Sequence, residues 1–342
     1  MTSRSVDLLN IGLMLVSCAL AFAFPFELFL FSFAVLGPLH YFTEIPWLHN
    51  KQYFTTGKRD YLIIVVLALV IAVAYFSTPI GGKTSQTNKD LMAAITFVIF
   101  FAALAFTVFK KPSHKWIFLG GVAVTSIFIA RLDVATQLFA NLLPSIIHVY
   151  IFTAAFVLLG ALRNKSITGM ISLVVFGACT ALFFLVRPEL VAAAPTDYIV
   201  DSYAPLAALN LDLMDYLGFA NPRGMESGAL AELVFLSPVG IMIMRLIAFS
   251  YTYHFLNWFS KTSIIKWHEV ARKRSLLILA LWVGSVALYA SNYAIGMRYL
   301  YILSLLHVVL EYPLNHRTFI GIGEEMRKLF TFRRSAPLPA EN

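Results

Sequence analysis

The chain has 342 residues, of which 59% are hydrophobic and only 13% are charged, with a net charge of +8 at pH 7. Soluble domains are about one quarter charged, whereas uncharged windows of about 20 residues recur here and are long enough to cross a bilayer. The composition predicts an all-α polytopic membrane protein. It gives no support to nucleic acid as a partner, because basic residues in membrane proteins mainly mark the inner side.

In chain order, the apolar segments predict ten transmembrane helices, with both termini on the inner side. Most Lys and Arg then fall in the inner connections and the C-terminal tail, 317–342, as the positive-inside rule requires. The first segment has no small-residue cleavage site, so we predict no cleaved signal peptide. We expect one transmembrane domain, 1–342, in the inner membrane of a bacterium. The predicted spans are 6–24, 26–46, 61–80, 90–109, 116–136, 140–162, 167–186, 229–258, 274–294 and 297–315.

The one long connection, 187–228, is predicted on the outer face. Its stretch YAPLAALNLDLMDYLGF (203–219) is either a solvated loop, which we favour, or a short amphipathic helix that lies on the bilayer or covers a cavity. No connection is large enough to hold a soluble active site. Any chemistry is therefore expected within the membrane or at its inner surface.

Two segments near opposite ends of the chain share one skeleton, H-x3-E-x-P-x2-H. They are HYFTEIPWLH (40–49) and HVVLEYPLNH (307–316). The acid follows the first histidine by four residues, so the two side chains share a helix face. We predict that Glu44 and Glu311 are catalytic carboxylates, which orient the neighbouring histidines or bind a metal themselves.

The second half of this skeleton concerns the helix ends. We predict that Pro46 and Pro313 end their helices near the inner interface, because proline removes a helical hydrogen bond. The trailing His49 and His316 are then interface residues, the interpretation that we favour. Alternatively, the chain folds under and both histidines become additional metal ligands.

Four of the eight histidines fall inside predicted spans, on the second, sixth, eighth and tenth helices. A polar group in lipid costs several kcal/mol unless it has a partner, and ionisable residues in spans mostly face the bundle interior and serve a function. We predict that these four histidines form a metal site. They are His40, His148, His254 and His307.

Polar neighbours accompany two of these histidines. Tyr251 and Asn257 share a helix face with His254, and Ser304 shares one with His307, so we predict that they support the ligands. The depths agree less well, because His148 is expected several ångströms nearer the outer face than the others. A kink at Pro144 would close that gap.

The ligand types leave several metals open. Cys18 and Cys179 lie in apolar segments and form no thiolate motif. Histidine and carboxylate ligands without thiolate suit Fe(II), with zinc and copper as alternatives. A b-type haem held by histidines from two helices is a further alternative.

Four short pieces resemble one family: GPLHYFTE, PSIIHVY, YTYHFLNWFSK and LLHVVLEY. In this order they are similar to the histidine motifs of the Brp/Blh-type bacterial and archaeal β-carotene 15,15′-dioxygenases, although Glu44 stands where that family tends to have Asp. The resemblance implies one non-haem iron held by His40, His148, His254 and His307. It also implies an oxygenase whose partners are O2, membrane lipids and a lipid-soluble substrate, β-carotene, cut centrally into retinal.

A second class of function stays open at this point. Buried His and Glu could relay protons in a membrane transporter or proton-coupled carrier, whose usual signs include helices broken by Gly or Pro. Arg245 lies within a span, on the side of its helix opposite His254. We expect it to pair with Asp133 or a lipid phosphate rather than to take part in catalysis.

Overall fold

A computed structural model describes residues 3–79, 84–186, 195–261 and 270–335. In these ranges the chain is built from helices and contains no strand. Eight of the helices are long and apolar enough to cross a membrane. The protein is therefore an all-α polytopic membrane protein, as its composition predicts.

The helices are numbered here in chain order. They are α1 Ser3–Ala23, α2 Pro25–Asn50, α3 Asp60–Phe76, α4 Gln86–Val108, α5 Pro112–Ile129, α6 Asp133–Asn164, α7 Ile167–Leu185, α8 Asp197–Tyr203, α9 Ala207–Tyr216, α10 Ser227–Phe235, α11 Pro238–Ser260, α12 Arg272–Ser291 and α13 Tyr293–Ser335.

Each of the ten predicted spans is helical in the structure, but three of them differ from a single long apolar helix. The predicted span 61–80 corresponds to α3, which is apolar but only 17 residues long, and the span 116–136 corresponds to α5, which is not one of the eight long apolar helices. The predicted span 229–258 is two helices, because Ser237 starts α11. Its hydroxyl accepts a hydrogen bond from the Gly240 N–H at 2.9 Å, and Pro238 follows at the first helical position.

The prediction that proline ends two helices is wrong. Pro46 lies inside the helical stretch Gly37–Asn50, and α13 continues from Pro313 to Ser335. Proline leaves one carbonyl without its helical partner, and membrane helices tolerate this where neighbouring side chains bond the freed groups.

The favoured interpretation of 203–219 as a solvated loop is also wrong. This part of the chain forms α9 and the end of α8, with Tyr203 and Met214 fully buried. The helix α9 is bonded to α6 by two amide–carboxylate hydrogen bonds, which link Gln137 to Asp215 at 2.7 Å and Asn141 to Asp212 at 2.6 Å. Residues 187–194 of the long connection lie outside the described ranges.

Two of the long helices contain π-helical segments, Ser32–Leu36 in α2 and Gln137–Phe152 in α6. Both adjoin a proline: Pro38 follows the first segment and Pro144 lies inside the second. Such wider turns leave some carbonyls free and are frequent at functional sites. The Val35 carbonyl accepts a hydrogen bond from the Trp282 indole at 2.8 Å.

The four helices that carry the histidines of interest are among the more buried helices of the bundle. Burial reaches 78% of the apolar window in α11, 61% in α2, 50% in both α6 and α4, and 44% in α13, against 11% in α12. Side chains of α2, α6 and α13 also contribute to both large apolar clusters of the interior. The four histidines on these helices are themselves buried.

Candidate metal centre

The four membrane histidines meet in the interior and form a closed ring. The centroid of the His40 ring lies 4.8 Å from that of His254 and 5.2 Å from that of His307. His148 lies across from His40, with its centroid 4.9 Å from that of His254 and 5.4 Å from that of His307. Four distant parts of the chain thus bring imidazoles edge to edge around one point.

Three of these rings are placed for a single ion. His40, His254 and His307 each offer a ring nitrogen, and these atoms lie within 4.8 Å of one another. Nitrogens that bind one metal at about 2.1 Å can be at most about 4.2 Å apart. Closing the gap requires movements of less than an ångström, so this buried group could hold a metal ion.

The hydrogen bonding of the rings agrees with a ligand role. The Nδ1 atoms of His40 and His307 and the Nε2 atom of His254 are buried and have no hydrogen-bond partner. A buried polar atom without a partner costs about 1–3 kcal/mol. A bound cation would remove this cost, because a neutral imidazole nitrogen donates its lone pair to the metal.

The opposite nitrogens of two rings have neighbours that fix their orientation. His254 Nδ1 lies 2.8 Å from the Thr153 hydroxyl of α6. His40 Nε2 lies 2.8 Å from Glu44 Oε2, although the two groups are not aligned as a hydrogen bond. A metal-bound histidine typically contacts a carboxylate or another acceptor through its second nitrogen. The remaining nitrogens of His40 and His254 are then the ones free for a metal.

Glu311 occupies a different place from the one expected from its helix. Its Oε2 lies 3.4 Å from Nε2 of His148, on another helix, rather than supporting His307. The carboxyl groups of Glu44 and Glu311 also lie close enough to interact with each other. Lys261, directly after α11, is near enough to attract both carboxylates.

The expected depth difference of His148 is absent. Its ring contacts those of His254 and His307, and the π-helical segment that contains it is the physical reason, because each wider turn shifts the register of the helix. His148 is nevertheless outside the group of three whose nitrogens converge within 4.8 Å. It completes the ring of imidazoles and faces Glu311.

The three predicted supporting residues divide between two cavities. Tyr251 and Ser304 line a space of about 30 Å³ beside His148 and His307. Asn257 lines a larger cavity, of about 400 Å³, on the other side of the ring. The rings of Tyr251 and Phe29 pack edge to face at 5.0 Å, so Tyr251 shapes the wall of the small space rather than supporting His254.

His49 and His316 do not join the histidine ring, so the alternative that both are additional ligands is wrong. The favoured interpretation as interface residues fits the exposed His49 but not the buried His316. His49 is exposed, and its Nδ1 lies 3.3 Å from the Tyr53 hydroxyl. His316 is buried, and its Nε2 lies 2.9 Å from the Phe100 carbonyl. His268 lies outside the described residues.

The 400 Å³ cavity extends from the histidine ring to the helix ends at Lys51, Arg163 and Lys261. Its deep end is formed by His40, His254 and the two carboxylates, and its walls are aromatic. The aromatic residues are Trp47, Phe54, Phe156 and Trp258. A larger cavity of about 660 Å³ lies against α9, α10 and α13, and none of the four histidines lines it.

Arg245 does not form the predicted pair with Asp133. Asp133 lies 3.7 Å from Arg223 in an exposed pair, whereas Arg245 is fully buried and donates to the Val186 carbonyl at 3.4 Å. Its guanidinium also lies 4.7 Å from the Phe22 ring, a cation–π contact. It takes no part in the histidine ring, as expected.

Sequence reasoning missed two residues of the site, Thr153 and Lys261. Thr153 lies five residues after His148. Residues five apart lie on the same face of a π-helix but not of an α-helix, so an α-helical spacing did not place Thr153 on the face that carries His148. Lys261 belongs to a basic cluster that the positive-inside rule already explains. Nothing in the sequence pattern therefore identified Thr153 or Lys261 as residues of the site.

Comparisons of this chain with family models, with curated proteins and with solved structures find no match.

Proposed function

We propose that this protein is an intramembrane non-haem iron oxygenase that acts on a long apolar substrate. The observation that carries the proposal is the convergence of ring nitrogens of His40, His254 and His307 within 4.8 Å, deep in a helical bundle of membrane-spanning length. We place the protein in the inner membrane of a bacterium. The motif resemblance suggests β-carotene as the substrate.

The ligand set favours iron. His40, His254 and His307 would hold the ion, with His148 next to it, and iron held by histidines with open positions supplies activation of dioxygen. The closed ring of four imidazoles, with centroid separations of 4.8–5.4 Å, leaves no slot for a porphyrin plane. This geometry disfavours the b-type haem alternative.

The other residues of the site have separate tasks. Thr153 and Glu44 hold the orientation of His254 and His40 through the second ring nitrogens. Glu311 and Glu44 lie close together beside the ring and would deliver a proton to, or accept one from, a reacting oxygen. The aromatic walls of the 400 Å³ cavity exclude water and guide an extended apolar molecule toward the histidines.

The reaction balances without a further reductant if β-carotene is the substrate. Both atoms of one O2 enter the product, and the central double bond becomes two aldehydes, giving two molecules of retinal. A carrier that relays protons through His and Glu would instead move substrate across the bilayer and bind no metal.

Metal analysis of the purified protein tests the proposal directly. Protein from cells supplied with iron is expected to contain about one iron per chain and to convert β-carotene to retinal in detergent under air. Retinal is measured by chromatography and O2 uptake with an electrode. Protein that binds no transition metal, together with substrate flux in proteoliposomes, would overturn the proposal in favour of the carrier.

A further inference from the structure

We infer that the site also accepts a long apolar substrate that carries an anionic group at one end and enters through the 400 Å³ cavity. This inference rests on the proposed function and extends its substrate class. A long chain with a carboxylate or phosphate head has the required chemistry. β-Carotene has no charged group, so the anionic chain would be a second member of the long apolar class.

The first observation is the charge at the mouth of the cavity. Three cationic side chains at the ends of three different helices line it: Lys51, Arg163 and Lys261. Lys261 is attracted to the buried carboxylates at the deep end. Lys51 and Arg163 are exposed and have no carboxylate partner among the described residues. The positive-inside rule explains the sign of these residues but not their convergence on one cavity.

The second observation is how Arg163 and a fourth cation are held there. A Cβ placed on Gly321 of α13 would come 2.9 Å from a terminal nitrogen of Arg163, so the guanidinium lies directly against α13 at this glycine. The Arg317 guanidinium packs over the ring of Phe54, a wall residue, at 5.6 Å. Arg163 and Arg317 also line an adjoining cavity of about 380 Å³, together with Glu324.

The third observation is the match of the cavity to an amphipathic chain. Aromatic rings form its walls, and Trp47 and Trp258 meet edge to face at 5.4 Å. Its volume of about 400 Å³ lies within the range of pockets for small molecules. Cations at the mouth and histidines at the deep end would position a chain with its head at the interface and its apolar part at the metal. Arginine often binds carboxylates and phosphates through two parallel hydrogen bonds, a bidentate geometry.

Tryptophan quenching by brominated lipids tests this inference without activity. Full-length protein in an uncharged detergent is titrated with 9,10-dibromostearic acid and with its methyl ester, which differ only in charge. Bromine atoms inside the cavity quench Trp47 and Trp258 by contact. We expect the acid to reach half-maximal quenching at a concentration at least tenfold lower than the ester.

A double variant, Lys51→Gln with Arg163→Gln, should remove the preference for the acid and leave quenching by the ester unchanged. Lys58→Gln with Lys110→Gln is the matched control, because both lysines are exposed and line neither cavity. It should keep the preference. A brominated phosphatidic acid in a further titration distinguishes a phosphate head from a carboxylate head.

Equal quenching by acid and ester in the wild-type protein would overturn the inference, and so would an acid preference that the double variant retains. If the double variant fails to fold, the wild-type preference must weaken as salt rises, since exposed charges are screened. Iron content of the same samples separates the two proposals. Iron-loaded protein without the preference contradicts this inference alone, and iron-free protein with it contradicts the oxygenase.

Discussion

The two segments that share H-x3-E-x-P-x2-H are alike in their first half and unlike in their second. His40 and His307 enter the same ring, and Glu44 and Glu311 both lie beside it. The trailing histidines separate: His49 is exposed beside Tyr53, whereas His316 is buried against Phe100. In both segments, burial determines where the first histidine and the glutamate lie. The position of the trailing histidine depends instead on its local neighbours.

The largest effect is expected where the two segments agree. His40→Ala and His307→Ala should each lower the iron content of purified protein to less than about a tenth, because removing a ligand costs more than the 10–100-fold loss typical of its supporting partners. Metal analysis measures this. His114→Ala, at an exposed position, is the control. Full iron in either variant would show that the two segments do not share one site.

Variants of the two carboxylates test whether Glu44 and Glu311 act alike in the two segments. Glu44→Gln and Glu311→Gln should each weaken iron binding about 10–100-fold, measured by titration of the iron-free protein. Glu44 contacts the histidine of its own helix, whereas Glu311 contacts His148. Combining Glu311→Gln with His148→Ala should therefore add little to His148→Ala alone. Independent, additive losses would contradict that contact.

Alanine variants of the two trailing histidines should differ in the stability of the protein but not in its iron content. His316→Ala removes a hydrogen bond to the Phe100 carbonyl and the packing of a buried ring against Phe100, so we expect a loss of about 1–3 kcal/mol. His49→Ala, at an exposed position, should change stability by less than about 0.5 kcal/mol. Thermal unfolding in detergent compares the two. Iron loss in either variant would restore these histidines as ligands.

The smallest effect is expected at the shared prolines. Pro46→Ala and Pro313→Ala should leave iron content unchanged, because the helices continue through both positions and the site lies before them. Metal analysis on each variant, beside wild-type protein, checks this. A marked loss of iron would mean that a proline kink aligns the histidines.

Much of the bundle could be read from the sequence, since lipid requires helices whose backbone bonds are satisfied internally. Apolar runs therefore located every long helix, and the cost of burying imidazoles singled out the four histidines. The boundary at Ser237 was missed although a serine cap and proline mark it, because the flanking residues are equally apolar. The π-helical turns around Pro38 and Pro144 have no simple sequence signature, so the register of His148 was misjudged.

The amino-acid sequence alone is sufficient to identify the class of protein, the course of the helices and the histidines that cannot face lipid. This is because hydrophobicity and the cost of unpaired polar groups act on each segment separately. Only the tertiary structure decided which partners those histidines have. Glu311 beside His148, Thr153 beside His254 and the cations around one cavity all join different helices. Such pairs depend on how helices rotate and pack against one another, which spacing along a single helix does not record.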